Sequence, residues 1–103
     1  NVGLFSIGEL SDVMIPVEIT LGQAYPNPFN PATNISYSIP ERMDISVEIY
    51  DVTGRVVTEL VNSTMDAGVY NITWQAANQA SGIYFVRMVA GGTIHNQKLM
   101  LIK

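Results

Sequence analysis

Short stretches in which apolar and polar side chains alternate recur along the chain, punctuated by glycine and proline. Ile45, Val47 and Ile49 alternate with Ser46 and Glu48, and Tyr70, Ile72 and Trp74 alternate with Asn71, Thr73 and Gln75. Successive side chains leave a pleated strand on opposite sides, so a period of two marks a strand with one face turned to a core. On this pattern strands are expected at Asn34–Ile39, Asp44–Val52, Arg55–Val61, Val69–Gln75, Ile83–Ala90 and Thr93–Lys103, with Val17–Leu21 as a seventh. The windows are rich in Val, Ile, Thr and Tyr, which fit a pleated surface, and no long helical period interrupts them. The expected class is all-β: a two-sheet sandwich of about seven mostly antiparallel strands.

Two turns follow from local chemistry. Ala90-Gly91-Gly92-Thr93 sets two glycines between apolar runs, which suits a two-residue hairpin with positive φ at both central positions. In Asp51-Val52-Thr53-Gly54 the Asp side chain can accept from the turn's own amides while Gly54 takes the left-handed conformation. The last two strands break the alternation. Ile83–Val89 and Leu99–Ile102 are apolar on both faces. The outward set requires a cover, from the chain's own N-terminal segment and loops or from another protein docked there.

Composition narrows the function classes. The chain has 103 residues, enough for one core. Hydrophobic residues make up 48% and charged residues 14%, a balance that excludes intrinsic disorder. Nine acidic residues against five basic ones give a net charge of −4, which argues against nucleic acid as a partner. No apolar run approaches the ~18 residues of a membrane-spanning helix, so no membrane insertion is expected. With no cysteine and one histidine, His95, thiol chemistry and multi-histidine zinc sites are excluded by counting.

The remaining chemistry is sparse. Asp44, Glu48 and Asp51 lie close in sequence, but Asp51 is out of phase with the other two, so solvated strand residues are preferred to a catalytic carboxylate pair. Asp51 with the Asn27 or Asn30 oxygens is the one conceivable Ca²⁺ set, weighed against a turn-building role for Asp51. His95, beside Asn96 and Gln97, reads as a surface or edge histidine. Asn34-Ile35-Ser36, Asn62-Ser63-Thr64 and Asn71-Ile72-Thr73 match a glycosylation triplet that is frequent by chance. The Tyr and Phe side chains read as core and corner aromatics, with a carbohydrate-stacking strip as the alternative. No catalytic residue, metal or cofactor is expected.

Residues 1–15 carry apolar side chains without a clear period and are followed by Pro16. They read as a linker or the tail of a preceding domain, with residues 16–103 as the folded unit. The missing leader and initiator Met point to a piece of a longer chain. The most specific stretch is Tyr25-Pro26-Asn27-Pro28-Phe29-Asn30-Pro31-Ala32-Thr33. Three prolines in six residues exclude helix and central strand and are expected to hold a stiff, extended path. Phe29 is then free to plug the sandwich edge, with Asn27 and Asn30 satisfying nearby amides.

This run, preceded by Leu21-Gly22-Gln23-Ala24, resembles the start of the C-terminal sorting domain of type IX secretion substrates. That family shares an immunoglobulin-like fold with the C-terminal region of the flagellar hook-capping protein. Further motifs match in order. They are Ile49-Tyr50-Asp51-Val52-Thr53-Gly54-Arg55, then Ala67-Gly68 followed by Trp74, and then Ala80-Ser81-Gly82-Ile83-Tyr84. Ala90-Gly91-Gly92 and the basic-ended Lys98-Leu99-Met100-Leu101-Ile102-Lys103 complete the series. Gln75 stands where Asp is common in such sequences. The resemblance covers about residues 16–103.

The resemblance implies an Ig-like, non-catalytic address label on an exported protein. Its partners would be the type IX machinery, a surface sortase-like peptidase and a covalently linked N-terminal cargo domain. The destination would be the cell surface or the medium after periplasmic transit. The residues assigned to recognition are Lys98, Leu99, Met100, Leu101, Ile102 and Lys103. Pro26, Asn27, Pro28, Phe29, Asn30, Pro31, Asp51, Gly54, Gly68, Trp74, Gly82 and Tyr84 are assigned to building the shape. Two other classes stay open: an Ig-like accessory module that binds carbohydrate for a secreted enzyme, and a structural module of a hook-cap protein or adhesin.

Overall fold

The structure is a computed structural model that describes the backbone at residues 4–6 and 14–16 and the whole chain from 18 to 103. Nine strands are formed in the described residues: β1 (Leu4–Ser6), β2 (Met14–Pro16), β3 (Thr20–Leu21), β4 (Ala32–Ile39), β5 (Met43–Asp51), β6 (Val56–Met65), β7 (Gly68–Gln75), β8 (Gly82–Ala90) and β9 (Thr93–Leu101). β1 and β2 pair with each other. The other seven form two antiparallel sheets, one ordered β3-β4-β7 and the other β6-β5-β8-β9. This is the expected seven-stranded all-β sandwich. Most of the segment expected to be a linker or tail, 1–15, lies outside the described residues. Among the described residues no helix is long and apolar enough to cross a membrane.

The period-two residues build the core. Ile45, Val47 and Ile49 of β5 are buried, as are Val86, Met88 and Ala90 of β8 and Leu99 and Leu101 of β9. Facing them across the sandwich are Ile35, Tyr37 and Ile39 of β4 with Trp74 of β7. Each such side chain withdrawn from water contributes about 1.5–3 kcal/mol before entropy is counted. Tyr70 and Ile72 share the inward phase of Trp74, as the alternation predicts, but are only half-buried. β7 is the outer strand of its sheet, so its inward side chains at Tyr70 and Ile72 have no further strand beside them. Tyr70 instead stacks on Tyr37, its partner in register, with ring centroids 5.3 Å apart.

Both turns form as their residues require. Ala90 pairs with Thr93 around Gly91 and Gly92, at φ +55° and +89°. The β5–β6 turn places Gly54 at φ +89° and joins Asp51 N to the Arg55 carbonyl at 2.9 Å. β6 runs four residues past the expected end at Val61, and two bulges, at Val47/Glu48 and at Ile49/Tyr50, each absorb one extra residue in its pairing with β5. A bulge sets two residues against one and keeps the ladder going beyond it. Of the segment Val17–Leu21, Thr20 and Leu21 are strand, paired with Ser38 and Tyr37.

The candidate recognition strand and the corner that holds it

β9 is the outer strand of its sheet, paired on one side with β8 from Gly82↔Leu101 to Ala90↔Thr93. Its other edge would present unpaired amides and carbonyls to water. In the C-terminal half that edge is closed by the proline corner. Asn27 Nδ2 donates to the Lys98 carbonyl at 2.9 Å and Asn27 Oδ1 accepts from the Met100 amide at 3.0 Å. One side-chain amide thus does for β9 what the backbone of a neighbouring strand would do. Two residues on, the main chain takes over: Phe29 N donates to the Met100 carbonyl and Ile102 N to the Phe29 carbonyl, each at 2.9 Å.

The corner itself is compact. All three of its X-Pro bonds are cis. Residues 26–28 form consecutive bends, so the expected extended path is replaced by a folded one. Thr33, buried on the inward phase of β4, donates to the Pro26 carbonyl at 2.7 Å, and Ala76 N donates to the Pro31 carbonyl at 2.8 Å. Phe29 is 2% exposed and packs against Trp74 with ring centroids 5.4 Å apart. Trp74 in turn meets the edge of Tyr84 at 5.2 Å, and the Tyr84 hydroxyl donates to the Ala80 carbonyl at 2.6 Å. Phe29 therefore plugs the sandwich edge as its sequence context suggests. Asn30 is exposed, and no side-chain hydrogen bond is formed by it among the described residues.

The six residues assigned to recognition separate into two groups. Leu99 and Leu101 are buried in the core, while Lys98, Ile102 and Lys103 are exposed and Met100 is half-buried. Lys103 closes the β7–β8 loop: its Nζ donates to the Ala77 carbonyl at 2.6 Å and its amide to Ser81 Oγ at 3.1 Å. Lys98 and Lys103 are five residues of extended chain apart, roughly 16 Å at strand rise, so they act as two single charges.

The shape-building residues gather at this end of the sandwich with one exception. Gly82 opens β8 here, and Asp51 pairs in register with Tyr84, which pairs with Leu99. Gly68 stands opposite Ile39, at the other end. Asp51 works within its own turn. Its Oδ1 accepts from the Thr53 hydroxyl at 2.6 Å, from Thr53 N at 2.9 Å and from Arg55 N at 3.1 Å, and its Oδ2 lies 3.5 Å from the Arg55 guanidinium. These oxygens are committed to the turn. Among the described residues no three His, Asp or Glu side chains converge as a metal site.

The Thr53 hydroxyl, with smaller help from the Arg55 and Thr53 amides and the Arg55 charge, holds the Asp51 carboxyl below its ordinary value, while desolvation works against that shift. A depressed carboxylate stabilises the fold above its unfolded value, about 3.9, and loses that contribution as pH falls through its lower folded value. The amides of Thr53 and Arg55 are therefore expected to keep their NMR shifts from neutrality to about pH 4 and to move below it.

Three contacts escaped the sequence pattern. Gln97 Nε2 donates to the Gly22 carbonyl at 2.7 Å and its Oε1 accepts from Ala24 N at 2.6 Å, pinning the approach to the corner. Thr33 and Ser81 hold the corner and the last residue as described. The available signal was phase: Thr33 is a polar residue at an inward position of the otherwise apolar-in β4, and Gln97 shares the inward phase of Leu99 and Leu101. Gln75, where Asp is common in the resembling sequences, caps the following loop by accepting from Ala77 N at 3.1 Å. His95 is half-buried on the inward phase of β9, its Nε2 3.3 Å from Thr93 Oγ1.

Replacing Asn27 with alanine removes both side-chain bonds to β9. At about 0.5–1.5 kcal/mol each, the loss is expected to lower the melting temperature by several degrees. Asn27→Asp keeps the acceptor for Met100 N and loses the donor to Lys98, so its melting temperature is expected between the two in a thermal unfolding series.

No curated protein matches the chain. A family model described as "Secretion system C-terminal sorting domain" matches residues 23–103, from just before the corner to the end of the clamped strand. The motif order, the sandwich and this match agree, and the chain belongs to the type IX secretion C-terminal sorting domains, a non-catalytic signal family.

Proposed function

We propose that residues 16–103 are a non-catalytic address label that directs a covalently linked N-terminal cargo domain across the outer membrane by the type IX machinery. Residues 1–15 serve as the linker to that cargo. A surface sortase-like peptidase is the second partner, and the cargo ends on the cell surface or in the medium. The observation that carries this reading is the family match over residues 23–103. The geometry supports it: a receptor-read address needs a fixed shape, not a reactive group, and the last strand of this domain is held by β8 on one side and by the proline corner on the other.

On that strand and just past its end, Lys98, Ile102 and Lys103 are the groups offered to a receptor, and Leu99 and Leu101 hold them in place. The test is a reporter carried behind a Sec leader and followed by this chain, in a host with a compatible type IX system. The reporter is expected outside the cell, and periplasmic when the domain is removed. Lys98→Gln with Lys103→Gln leaves the pairing with β8 in place. Retention of that stable double variant in the periplasm assigns direct reading to the charges, and its normal export assigns it to the shape. Export without the domain overturns the proposal.

A further inference from the structure

Each sheet of a sandwich has two edges, and a bare edge is a template for another strand. In this chain all but one of them are shortened, covered or broken. β3 is two residues long. β9 is capped along its C-terminal half by Asn27 and Phe29. β6 is bulged at Val57 and Leu60 and carries Glu59. β7 has none of these devices. It pairs with β4 without a break from Gly68↔Ile39 to Gln75↔Ala32, and it contains no proline and no charged residue.

The phase of the hydrogen bonds fixes which groups that edge presents. Asn34 exchanges both of its main-chain bonds with Tyr25, each at 3.0 Å. In an antiparallel ladder, a residue bonded in this way to one neighbouring strand turns its amide and carbonyl away from the other. Asn34 and Thr73 therefore face each other as a non-bonded pair, and the Thr73 amide and carbonyl point away from β4. The bond from Ala76 N to the Pro31 carbonyl, at 2.8 Å, has the same phase. By alternation Val69, Asn71, Thr73 and Gln75 all aim their main-chain groups outward. Among the described residues those groups have no main-chain partner. β2 comes near β7, but β1 and β2 make a sheet of their own.

The same side of the sandwich is unfinished in its apolar packing. β6 and β7 are joined here by Asp66 and Ala67, and Leu60, Val61, Met65, Tyr70 and Ile72 touch the core but are only partly buried. Val69 is 59% exposed. The edge fits a second copy of itself. About a two-fold axis through Ile72, Asn71 stands opposite Thr73 and Val69 opposite Gln75, so every outward amide meets an outward carbonyl of the other copy. On the inward face Ile72 falls opposite Ile72, and Tyr70 opposite Trp74. Two chains of net charge −4 repel each other at most surfaces. Along β7 no charge is brought against its like. The contact is isologous and uses the edge up, so it closes at two copies.

We propose that β7 is a self-association edge: two copies pair their β7 strands antiparallel and join their β3-β4-β7 sheets into one continuous sheet. β9 lies on the other side of the sandwich, beside β3 and the corner, so the pairing leaves both copies of β9 uncovered. The inference stands whether or not the domain is an address label. A single strand pair is smaller than a stable interface of standard size, so a dissociation constant on the order of 0.1–1 mM is expected.

The full 103-residue chain is compared at about 20 μM and about 2 mM, by sedimentation and by amide hydrogen exchange. A dimer is expected at the higher concentration only. There the Val69, Asn71, Thr73 and Gln75 amides are expected to exchange about threefold or more slowly than in the dilute sample, while those of Tyr70 and Ile72, already bonded to β4, do not change. Asn71→Lys with Thr73→Lys alters exposed side chains and sets lysine against lysine across the axis. That variant is expected to stay monomeric, with its melting temperature little changed and association partly recovered at high salt. The two lysines lower the net negative charge, so a general charge effect would strengthen association instead. Thr73→Pro removes one outward amide and no bond to β4, and is likewise expected to be monomeric. Asn96→Lys, on β9, leaves dimerisation unchanged. A monomer at the higher concentration overturns the proposal, as does a dimer without the alternating protection or a double variant that associates like the parent. Alternating protection that is the same at both concentrations in a monomer also overturns it, because the chain's own N-terminal segment then fills the edge.

Discussion

Trp74→Ala is expected to cost about 3–5 kcal/mol of stability. Trp74 is 4% exposed and joins three otherwise separate parts of the chain: Phe29 of the corner, its own strand β7, and Tyr84 at the start of β8. Removing the indole leaves a cavity bounded by two rings that are each fixed by other bonds, Phe29 by the Met100 and Ile102 backbone and Tyr84 by the Ala80 carbonyl. The site can therefore collapse little, which places the cost toward the upper part of the range. Small domains have about 5–15 kcal/mol in total, so urea or thermal unfolding will show a large shift. A change under about 1 kcal/mol would show that the aromatic cluster does not anchor the corner.

Truncation after Lys98 is expected to abolish cooperative folding. It removes Leu99 and Leu101, which are 0% and 1% exposed, together with their pairing to Tyr84 and Gly82. Each such leucine is worth about 2–5 kcal/mol on conversion to alanine alone. The truncation also strands the Asn27 oxygen and the Phe29 amide and carbonyl, which lose Met100 and Ile102. The summed loss is comparable with the whole stability of a small domain. A chain ending at Lys98 that still melts cooperatively near the parent temperature would show that β9 is peripheral to the core. The consequence for function is direct: loss of export on truncation reports loss of the fold, and the exposed groups Lys98, Ile102 and Lys103 must be tested by substitution.

The outer face of the β6-β5-β8-β9 sheet shows how far the apolar pattern could be followed. Ile83, Phe85, Val89 and Met100 look unpartnered in the sequence. In the fold Ile83 stands opposite Met100 and Val89 opposite Ile94, and Ile83, Val89 and Met100 are half-buried. Cross-strand neighbours cover much of this surface, a contact that a pattern read along one strand does not contain. Phe85 stands opposite Lys98 and Tyr50 and stays exposed at one side. Cover by residues 1–15 concerns a segment that is mostly outside the described residues.

The amino-acid sequence by itself determined the strands of the two main sheets, both glycine turns and the inward set Ile45, Val47 and Ile49, because each depends only on neighbours two to four residues away. The motif order across residues 23–103 also carried the family. Tertiary structure alone decided that the proline run is a folded corner, that Asn27 completes the edge of a strand some seventy residues further on, and that Leu99 and Leu101 are core while Lys98 is surface. It also decided that Tyr70 is half-buried and that Glu48 and Arg87 stand opposite each other with the Tyr50 hydroxyl bonded to both. These outcomes depend on which strands are adjacent and which lie at a sheet edge, and a period of two is the same for an edge strand as for a central one.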